Sequence, residues 1–171
     1  MAKRLNPKDP IRLVKVNTKN FDDLIDLSVK RAQQNFVADN IYSLAEAYAT
    51  QADNKPVQPF GIYKGEKPVG FLMIGYDYDN WDDEVPYFSK NGYIIWRFMI
   101  DRRYQGRGYG REAMKLALDY VRTFPFGRAE YCWLSYEPEN EVANNLYLSC
   151  GFEEKPEYWK EGDEMPAILK L

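Results

Sequence analysis

Residues 101–111 read DRRYQGRGYGR and follow Tyr93–Ile100, an apolar segment interrupted only by Arg97. Such a segment predicts a central strand buried on both faces of a sheet. After the glycines, Arg111–Arg122 repeats apolar residues at helical spacing, which predicts an amphipathic helix. The first N–H groups of a helix have no partner within it, and the helix dipole makes that end partly positive. Because glycines let an anion approach the main chain, this stretch predicts a cradle for a pyrophosphate.

The spacing of the glycines separates this cradle from two common nucleotide-binding loops. No Gly-Lys-Ser/Thr follows, so the stretch is not a Walker loop, and this argues against a nucleotide-binding regulator. Gly106, Gly108 and Gly110 are spaced by two, whereas the Rossmann fingerprint is G-x-G-x-x-G. Arg107 and Arg111 would add charge-assisted contacts to a phosphate. Taken alone, the stretch also fits a plain glycine-rich turn between a strand and a helix.

The pattern on both sides of this stretch predicts one α/β domain spanning residues 1–171, a length that suits a single core. The order of elements is β-α-α-β-β-β-α-β-α-β-β, which implies a mixed sheet covered by helices. Strands are expected at 11–16, 60–63, 68–76, 93–100, 129–135, 152–158 and 165–171. Helices are expected from about residue 21, over 41–52, over 111–122, and from a cap at Asn140 to about Ser149.

The composition excludes several kinds of chemistry. There is no histidine, so histidine-based catalysis and imidazole metal sites are excluded, and two cysteines cannot make a structural zinc site or a disulfide framework. Lys plus Arg is 23 against 26 Asp plus Glu, which lacks the basic excess of a nucleic-acid binder. No apolar run approaches the roughly 20 residues of a membrane span, and the N-terminus does not read as a signal peptide. A cytoplasmic protein without metal, membrane or nucleic-acid partners is expected.

The motif Gln105-x-x-Gly108-x-Gly110 resembles the Q/R-x-x-G-x-G/A motif of the GNAT superfamily of acetyltransferases. Further along, Glu139-Asn140-x-x-Ala143 is followed by Leu146-Tyr147-x-x-x-Gly151-Phe152, which is similar to the second half of that family's acetyl-CoA site. The resemblance covers nearly the whole chain. Four stretches are similar to bacterial spermine/spermidine (diamine) acetyltransferases: PVGFLMIG at 68–75, RFMID at 97–101, YQG at 104–106 and LSYEPEN at 134–140.

The resemblance implies an α/β (α+β) fold with a mixed, mostly antiparallel central sheet flanked by helices. Strands 4 and 5 would splay into a V that admits acetyl-CoA. The main chain of Phe98, Met99 and Ile100 would pair with the pantetheine arm. Asn140 would contact the cofactor, although its alternative role is a helix N-cap, and one asparagine can do both. The pyrophosphate would be held by the amides of Gln105, Gly106, Arg107, Gly108, Tyr109, Gly110 and Arg111.

Tyr147 stands where the family places a general acid that protonates the leaving thiolate. A tyrosine with a pKa near about 10 can donate to a thiolate of comparable basicity. The alternative is that Tyr147 only fills the apolar stripe of its helix. The implied mechanism is direct attack of a bound amine within a ternary complex. No covalent acyl-enzyme is expected, because no histidine is present to activate Cys132 or Cys150.

The acceptor amine must lose a proton, and the resemblance leaves open which group takes it. Related polyamine enzymes can carry an acidic residue in the strand before Arg-Phe, but this chain has Trp96 at that place. The best source of carboxylates is an acidic loop interleaved with aromatic residues. With Trp96, its residues Trp81, Asp82, Asp83 and Glu84 are the candidate substrate-binding set. Such a loop would attract a cation electrostatically, and its rings offer cation–π contacts. The alternative is a solvated acidic loop. Its acidic members are Asp77, Asp79, Asp82, Asp83 and Glu84.

The expected function is therefore transfer of the acetyl group of acetyl-CoA to a primary amine, with a polyamine (spermine or spermidine) as the favoured acceptor. One alternative is the same chemistry on an aminoglycoside, an amino acid or a protein amine, because acceptor loops vary on a shared scaffold. Another is a non-catalytic acyl-CoA sensor. GNAT proteins are often dimers, and the C-terminal hairpin is the contact considered for a homodimer.

Overall fold

The computed structural model describes residues 6–78 and 85–171. Within them, one seven-stranded sheet has the order β1-β2-β3-β4-β5-β7-β6, and the sequence of strands and helices agrees with the predicted one. The strands are β1 Ile11–Lys15, β2 Val57–Lys64, β3 Lys67–Tyr76, β4 Tyr93–Ile100, β5 Tyr131–Tyr136, β6 Glu153–Glu154 and β7 Met165–Lys170. The α-helices are α1 Phe21–Ile25, α2 Asn40–Ala52, α3 Tyr109–Val121 and α4 Glu141–Ser149, with single 3-10 turns at Arg31–Gln33 and Pro156–Tyr158.

The centre of the sheet is the pair β4 and β5, which is parallel while every other neighbouring pair is antiparallel. The parallel pairing consists of Tyr93 opposite Cys132 and Ile94 opposite Trp133. On its other side, β4 stays paired with β3 as far as Ile100. Beyond Ile94 the two central strands therefore diverge, which confirms the predicted splay between strands 4 and 5 and the predicted mixed fold.

A β-bulge lies in β4 close to the point of divergence. Met73 of β3 pairs with Arg97 and the next residue, Ile74, pairs with Ile95, so Trp96 is the extra residue of the bulge. A bulge bends its strand and redirects the side chains that follow. The bulge therefore belongs to the same region in which β4 leaves β5.

Helices and loops cover both faces of the sheet. On one face, α3 and α4 pack against the strands through a large core that includes Met114, Leu134 and Phe152. On the other face, a second core around Leu24 and Met99 joins α1, α2 and the chain between them to β2, β3 and β4. Because β4 belongs to both cores, its far end is held rigidly between the two layers. Among the described residues, no helix combines the length and the apolar character that crossing a membrane requires.

Four predicted boundaries are wrong by two residues or more. β2 begins at Val57 rather than at residue 60, and β5 begins at Tyr131 rather than at residue 129. The helix expected to begin at Arg111 begins at Tyr109, so Gly110 lies inside the first turn of α3. The strand expected over 152–158 ends at Glu154, and Pro156 opens a 3-10 turn instead. A proline has no N–H to donate to a strand neighbour, which explains the early end of β6.

Asp101, the residue after β4, ties the end of that strand to the chain that follows α1. Its side chain is 1% exposed. One carboxylate oxygen accepts a hydrogen bond from the Ser28 N–H at 3.0 Å, and the other accepts from the Arg103 N–H at 3.0 Å and from Arg103 Nε at 2.7 Å. Burial alone would raise the pKa of Asp101, but these hydrogen bonds and the Arg103 charge lower it below the ordinary value.

The Asp101→Asn variant should lose about 2 kcal/mol of unfolding free energy near neutral pH, because charge-assisted hydrogen bonds from Ser28 and Arg103 disappear. Since the folded pKa is lowered, this stabilisation is present above the ordinary aspartate pKa of about 3.9 and is lost as the pH falls through the folded value. Urea unfolding measures the difference at neutral pH and at an acid pH well below the ordinary aspartate pKa, with exposed Asp163→Asn as the control. An equal loss at both pH values would contradict the account.

Candidate functional site

A cavity of about 820 Å³ opens where β4 and β5 diverge. Its walls come from β4, the glycine-rich turn after it, the start of α3, the end of β5, α4 and the chain between α1 and α2. Beyond Ile94, β5 offers β4 no strand partner, so one edge of β4 faces this cavity. An exposed strand edge can pair with an extended ligand through its N–H and C=O groups.

Phe98, Met99 and Ile100, predicted to contact a cofactor through their main chain, all line the cavity. Met99 is buried and its two neighbours are half-buried. The side chain of Gln105 closes this end of the strand, because its Nε2 donates to the Ile100 carbonyl and to Gln33 Oε1, each at 2.9 Å. The strand edge thus leads directly into the glycine-rich turn.

Two glycines of that turn adopt left-handed backbone conformations, with φ of 75° at Gly106 and 80° at Gly108. A Cβ added at either position would meet no heavy atom within 4 Å, so the main chain there borders open space. Gly108 is also the N-cap of α3 and has no side chain to accept from the first N–H groups of the helix. The turn therefore fits an anionic group such as a pyrophosphate, held by main-chain N–H groups and the helix dipole.

The other predicted cradle residues divide into two groups. Tyr109, Gly110 and Arg111 line the cavity together with the two left-handed glycines. Arg107 does not line it: its Nη2 donates to the Arg103 carbonyl at 3.1 Å, and its guanidinium lies 5.7 Å from the centroid of the Tyr104 ring. The Arg107 side chain is thus engaged outside the cavity, and a ligand contact by its main chain stays a prediction.

Asn140 caps α4, since its side chain accepts a hydrogen bond from the Ala143 N–H at 3.2 Å. The predicted N-cap is confirmed. Asn140 also lines the cavity. A contact with a ligand is compatible with this capping role, because only the side-chain oxygen is used in the cap.

Tyr147 projects from α4 into the wall of the cavity and is 7% exposed. Its ring lies 5.5 Å from that of Tyr136 and 6.1 Å from that of Phe152, measured between centroids. Burial, with a smaller contribution from the charge of Glu164, raises the pKa of Tyr147 well above its ordinary value. The hydroxyl therefore keeps its proton at neutral pH and can donate it to a strong base in the cavity.

Tyr136 is a second tyrosine in the same wall, but its proton is already engaged. Its hydroxyl donates to the Glu154 carboxylate, and Asn144 Nδ2 donates to the same carboxylate oxygen at 3.2 Å. Burial and the hydrogen bond to Glu154 raise the pKa of Tyr136. Of the two tyrosines, Tyr147 is the better candidate for a proton donor to a ligand.

An ion pair that the sequence did not reveal joins α2 to the bulge of β4. Arg97 Nη2 lies 2.8 Å from Glu46 Oε2, and Arg97 Nη1 donates to the Trp96 carbonyl at 2.9 Å. The two side chains are 19% and 25% exposed, and Arg97 lines the cavity. Because Glu46 and Arg97 are far apart in sequence, no local pattern links them.

The Glu46→Gln variant is expected to lower the unfolding free energy by about 1–3 kcal/mol, since it leaves the half-buried Arg97 charge without its counter-charge. Denaturant unfolding gives the value. The matched control is Glu66→Gln, which breaks the exposed Arg12–Glu66 pair at a side chain that is 86% exposed. Exposed pairs contribute little, so the control should change stability less. Equal changes in unfolding free energy would mean that the Glu46–Arg97 pair contributes no more to stability than an exposed ion pair does.

The predicted substrate-binding residues are only partly within the described chain. Trp96 lines the cavity, and its ring lies 4.9 Å from that of Tyr78 in an edge-on contact. Asp77, at the start of the acidic loop, accepts a hydrogen bond from the Asn91 N–H at 2.7 Å. The predicted residues that fall outside the described residues are Asp79, Trp81, Asp82, Asp83 and Glu84.

One acidic residue that lines the cavity was not predicted from the sequence. Glu164, just before β7, lines the cavity and accepts a hydrogen bond from the Ser135 hydroxyl. The sheet order places β7 beside β5, and that order is not readable from local sequence. Residues 6–78 and 85–171 contain no group of three or more acidic or cysteine side chains arranged to hold a metal ion.

The chain has relatives among known protein families and characterised proteins. The model of the acetyltransferase (GNAT) family matches residues 22–152. A spermine/spermidine N(1)-acetyltransferase from Bacillus subtilis is 30% identical over 149 residues, covering 84% of this chain and 88% of that protein. A probable spermine N(1)-acetyltransferase from Bacillus subtilis subsp. natto is 29% identical over the same length and coverage.

Two solved structures have a similar fold. The spermidine N-acetyltransferase from Vibrio cholerae, in complex with CoA and spermine, has a TM-score of 0.64 at 20% identity, covering 94% of this chain and 95% of that one. The PaiA N-acetyltransferase from Thermoplasma acidophilum, in complex with coenzyme A, has a TM-score of 0.65 at 14% identity, covering 94% and 99%. At these identities the likeness concerns the fold alone.

Proposed function

The chain belongs to the acetyltransferase (GNAT) family, and on this basis we propose that it transfers the acetyl group of acetyl-CoA to a primary amine of a small polyamine such as spermine or spermidine. The observation that carries the proposal is one continuous path through the cavity, from the unpaired edge of β4 to the open turn at Gly106 and Gly108. The relative named as a spermine/spermidine acetyltransferase supports the choice of acceptor.

Different parts of the path would hold different parts of acetyl-CoA. The main chain of Phe98–Ile100 offers peptide groups to the amide-bearing pantetheine arm, as a neighbouring strand would. The N–H groups from Gln105 to Arg111 would hold the pyrophosphate, and the cationic Arg111 side chain adds attraction. Asn140 lines the same cavity, and its side-chain N–H groups are not used in its capping bond.

Acetyl-CoA supplies an acetyl group activated as a thioester and leaves as a thiol. Tyr147 Oη would donate its proton to the departing sulfur. Strand N–H groups near Met99 would polarise the acetyl carbonyl, as in an oxyanion hole. An acyl-enzyme is disfavoured, because burial raises the pKa of Cys132 far above the ordinary thiol value and holds it as an inert thiol.

The acceptor must lose a proton before it attacks. Keeping an alkylamine neutral at pH 7 costs about 4.6 kcal/mol, since its pKa is near 10.4 and each unit is worth about 1.36 kcal/mol. No histidine is present to take that proton. We assign it to solvent, so the rate should rise with pH through the neutral range as the neutral fraction of the amine grows.

The test of the proposed function is an acceptor panel in which thiol release from acetyl-CoA is followed as an initial rate. The panel contains spermine, spermidine and putrescine, an aminoglycoside, free amino acids and a lysine-containing peptide. The proposal expects kcat/KM to be highest for the polyamines. No turnover of any polyamine, with tight binding of acetyl-CoA, would overturn it.

One observation favours a second acceptor class. The cations Lys30 and Arg97 line the cavity on the side of α1 and α2, and such groups suit an acceptor that carries a carboxylate. Under this alternative, an amino acid would be acetylated faster than any polyamine in the same panel. The pairing of Arg97 with Glu46 weakens the alternative, because it neutralises one of the two charges.

A further inference from the structure

Among the described residues that line the cavity, Glu164 is the acidic one; the other charged side chains there are Lys30, Arg97 and Arg111. Arg97 is paired with Glu46, and Arg111 stands at the glycine-rich turn. A cationic acceptor that enters this cavity therefore meets a single carboxylate within the described chain. That carboxylate is the candidate group for binding an ammonium group of the acceptor.

Glu164 is held in a defined position. The Ser135 hydroxyl donates to its carboxylate. Ser135 pairs with Pro166 and Tyr136 with Met165, so Glu164 directly precedes the strand that flanks β5. The turn before it is closed by a hydrogen bond of 2.8 Å from Trp159 Nε1 to the Asp163 carbonyl. The strand pairing therefore places Glu164 at the open end of the splay, and the Ser135 hydroxyl orients its exposed carboxylate.

Ser135, which donates to the Glu164 carboxylate, lies on an aromatic face of the sheet. Side chains alternate along β5, so Ser135 shares a face with Trp133, opposite the face on which Tyr136 packs against Tyr147. On the Trp133 face, the ring of Tyr78 lies 5.9 Å from that of Trp133 and 4.9 Å from that of Trp96. Of these three rings, that of Trp96 lines the cavity, and the other two pack behind it. An alkylammonium chain is recognised by aromatic rings together with a charged acceptor of hydrogen bonds.

We propose that Glu164, positioned by Ser135, binds an ammonium group of the acceptor other than the one that is acetylated, and so selects diamines and polyamines over monoamines. The inference rests on the proposed function. The non-reacting nitrogen is assigned because a carboxylate stabilises the protonated form of an amine, and a protonated amine cannot attack the thioester. A polyamine has a second nitrogen to offer, whereas a monoamine does not.

The electrostatic surroundings of Glu164 agree with this assignment. Glu137 and Glu139 follow β5, near Glu164, and burial together with the charges of Glu164 and Glu139 raises the pKa of Glu137. The charge of Glu164 also reaches Tyr147, whose pKa it helps to raise. A bound ammonium would relieve this concentration of negative charge without removing the proton from Tyr147.

The experiment compares kcat/KM for spermidine and for n-butylamine, at saturating acetyl-CoA, in the wild type and in Glu164→Gln. We expect a loss of about 10- to 100-fold for spermidine, seen mainly in KM, and less than about twofold for n-butylamine, which has no second nitrogen. Glu161→Gln, in the same exposed turn, is the matched control and should leave both values unchanged. Ser135→Ala should show a smaller loss for spermidine alone, and the two losses should not add.

A binding measurement keeps the test independent of turnover. In the presence of CoA, Glu164→Gln should raise the dissociation constant of spermidine, measured by calorimetry, by a similar factor. The melting temperature of the variant checks that it is folded. An active wild type with an unchanged Glu164→Gln variant, or an equal loss for both amines, would overturn the inference and leave the proposed function intact. A wild type that acetylates no polyamine would overturn both.

Discussion

Replacing Tyr147 by phenylalanine is expected to lower kcat by about 10²-fold or more and to leave the affinity for acetyl-CoA within about twofold. The change removes one hydroxyl from a side chain that is 7% exposed and lies in the cavity wall. The ring contacts with Tyr136 and Phe152 are kept, so the packing of α4 is preserved. The departing sulfur would then take its proton from water, and only the chemical step would suffer.

Steady-state kinetics and equilibrium binding of acetyl-CoA measure the two effects separately. The matched control is Tyr136→Phe, which removes a hydroxyl from the neighbouring ring, where it donates to Glu154. That variant should lose stability rather than kcat, because its proton is engaged within the protein. An unchanged kcat in Tyr147→Phe, or a larger loss of kcat in Tyr136→Phe, would mean that Tyr147 takes no part in the reaction and only packs in the core.

Placing an aspartate at Gly108 is expected to weaken acetyl-CoA binding by at least about 100-fold, through its bulk and through like charge beside the pyrophosphate. The new side chain would enter space that is open in the protein, since a Cβ at this position meets nothing within 4 Å. Aspartate and asparagine are chosen because they tolerate the left-handed conformation that Gly108 adopts.

The control for the Gly108 substitution is Gly108→Asn, which has the same shape and backbone demand without the charge. Its loss of affinity should be at least about tenfold smaller than that of Gly108→Asp if charge repulsion contributes. A second control, Gly162→Asp, places the same residue in another left-handed, open position that does not line the cavity, and it should not affect binding of acetyl-CoA. Equal affinities for acetyl-CoA in the wild type and in a folded Gly108→Asp variant would contradict the assignment of this turn as the pyrophosphate-binding site.

Much of the fold could be predicted from sequence because its signals are local. The apolar run of β4, the glycines after it and the helical spacing of α3 are each contained within a few residues. The left-handed turn at Gly106 and Gly108 is likewise a property of adjacent residues. The V between β4 and β5 came from the family resemblance rather than from periodicity, and the strand register confirms it.

Other features of the site could not be predicted, because each joins distant parts of the chain. The Arg97–Glu46 pair depends on where α2 packs on the sheet. The contact of Glu164 with Ser135 exists because β7 inserts between β5 and β6. The early start of α3 is different in kind: glycine at Gly110 is a weak helix former, and packing against β4 and α4 overrides that preference.

Under the proposed function, this chain forms an N-acetylated polyamine from acetyl-CoA. The most direct test is to incubate the purified protein with acetyl-CoA and spermidine and to identify both products by mass spectrometry. We expect mono-acetylated spermidine and free CoA in equal amounts, and we expect Tyr147→Phe to form both products about 10²-fold more slowly or slower still. Bound acetyl-CoA that stays intact, or CoA released by hydrolysis without acetylated spermidine, would contradict it.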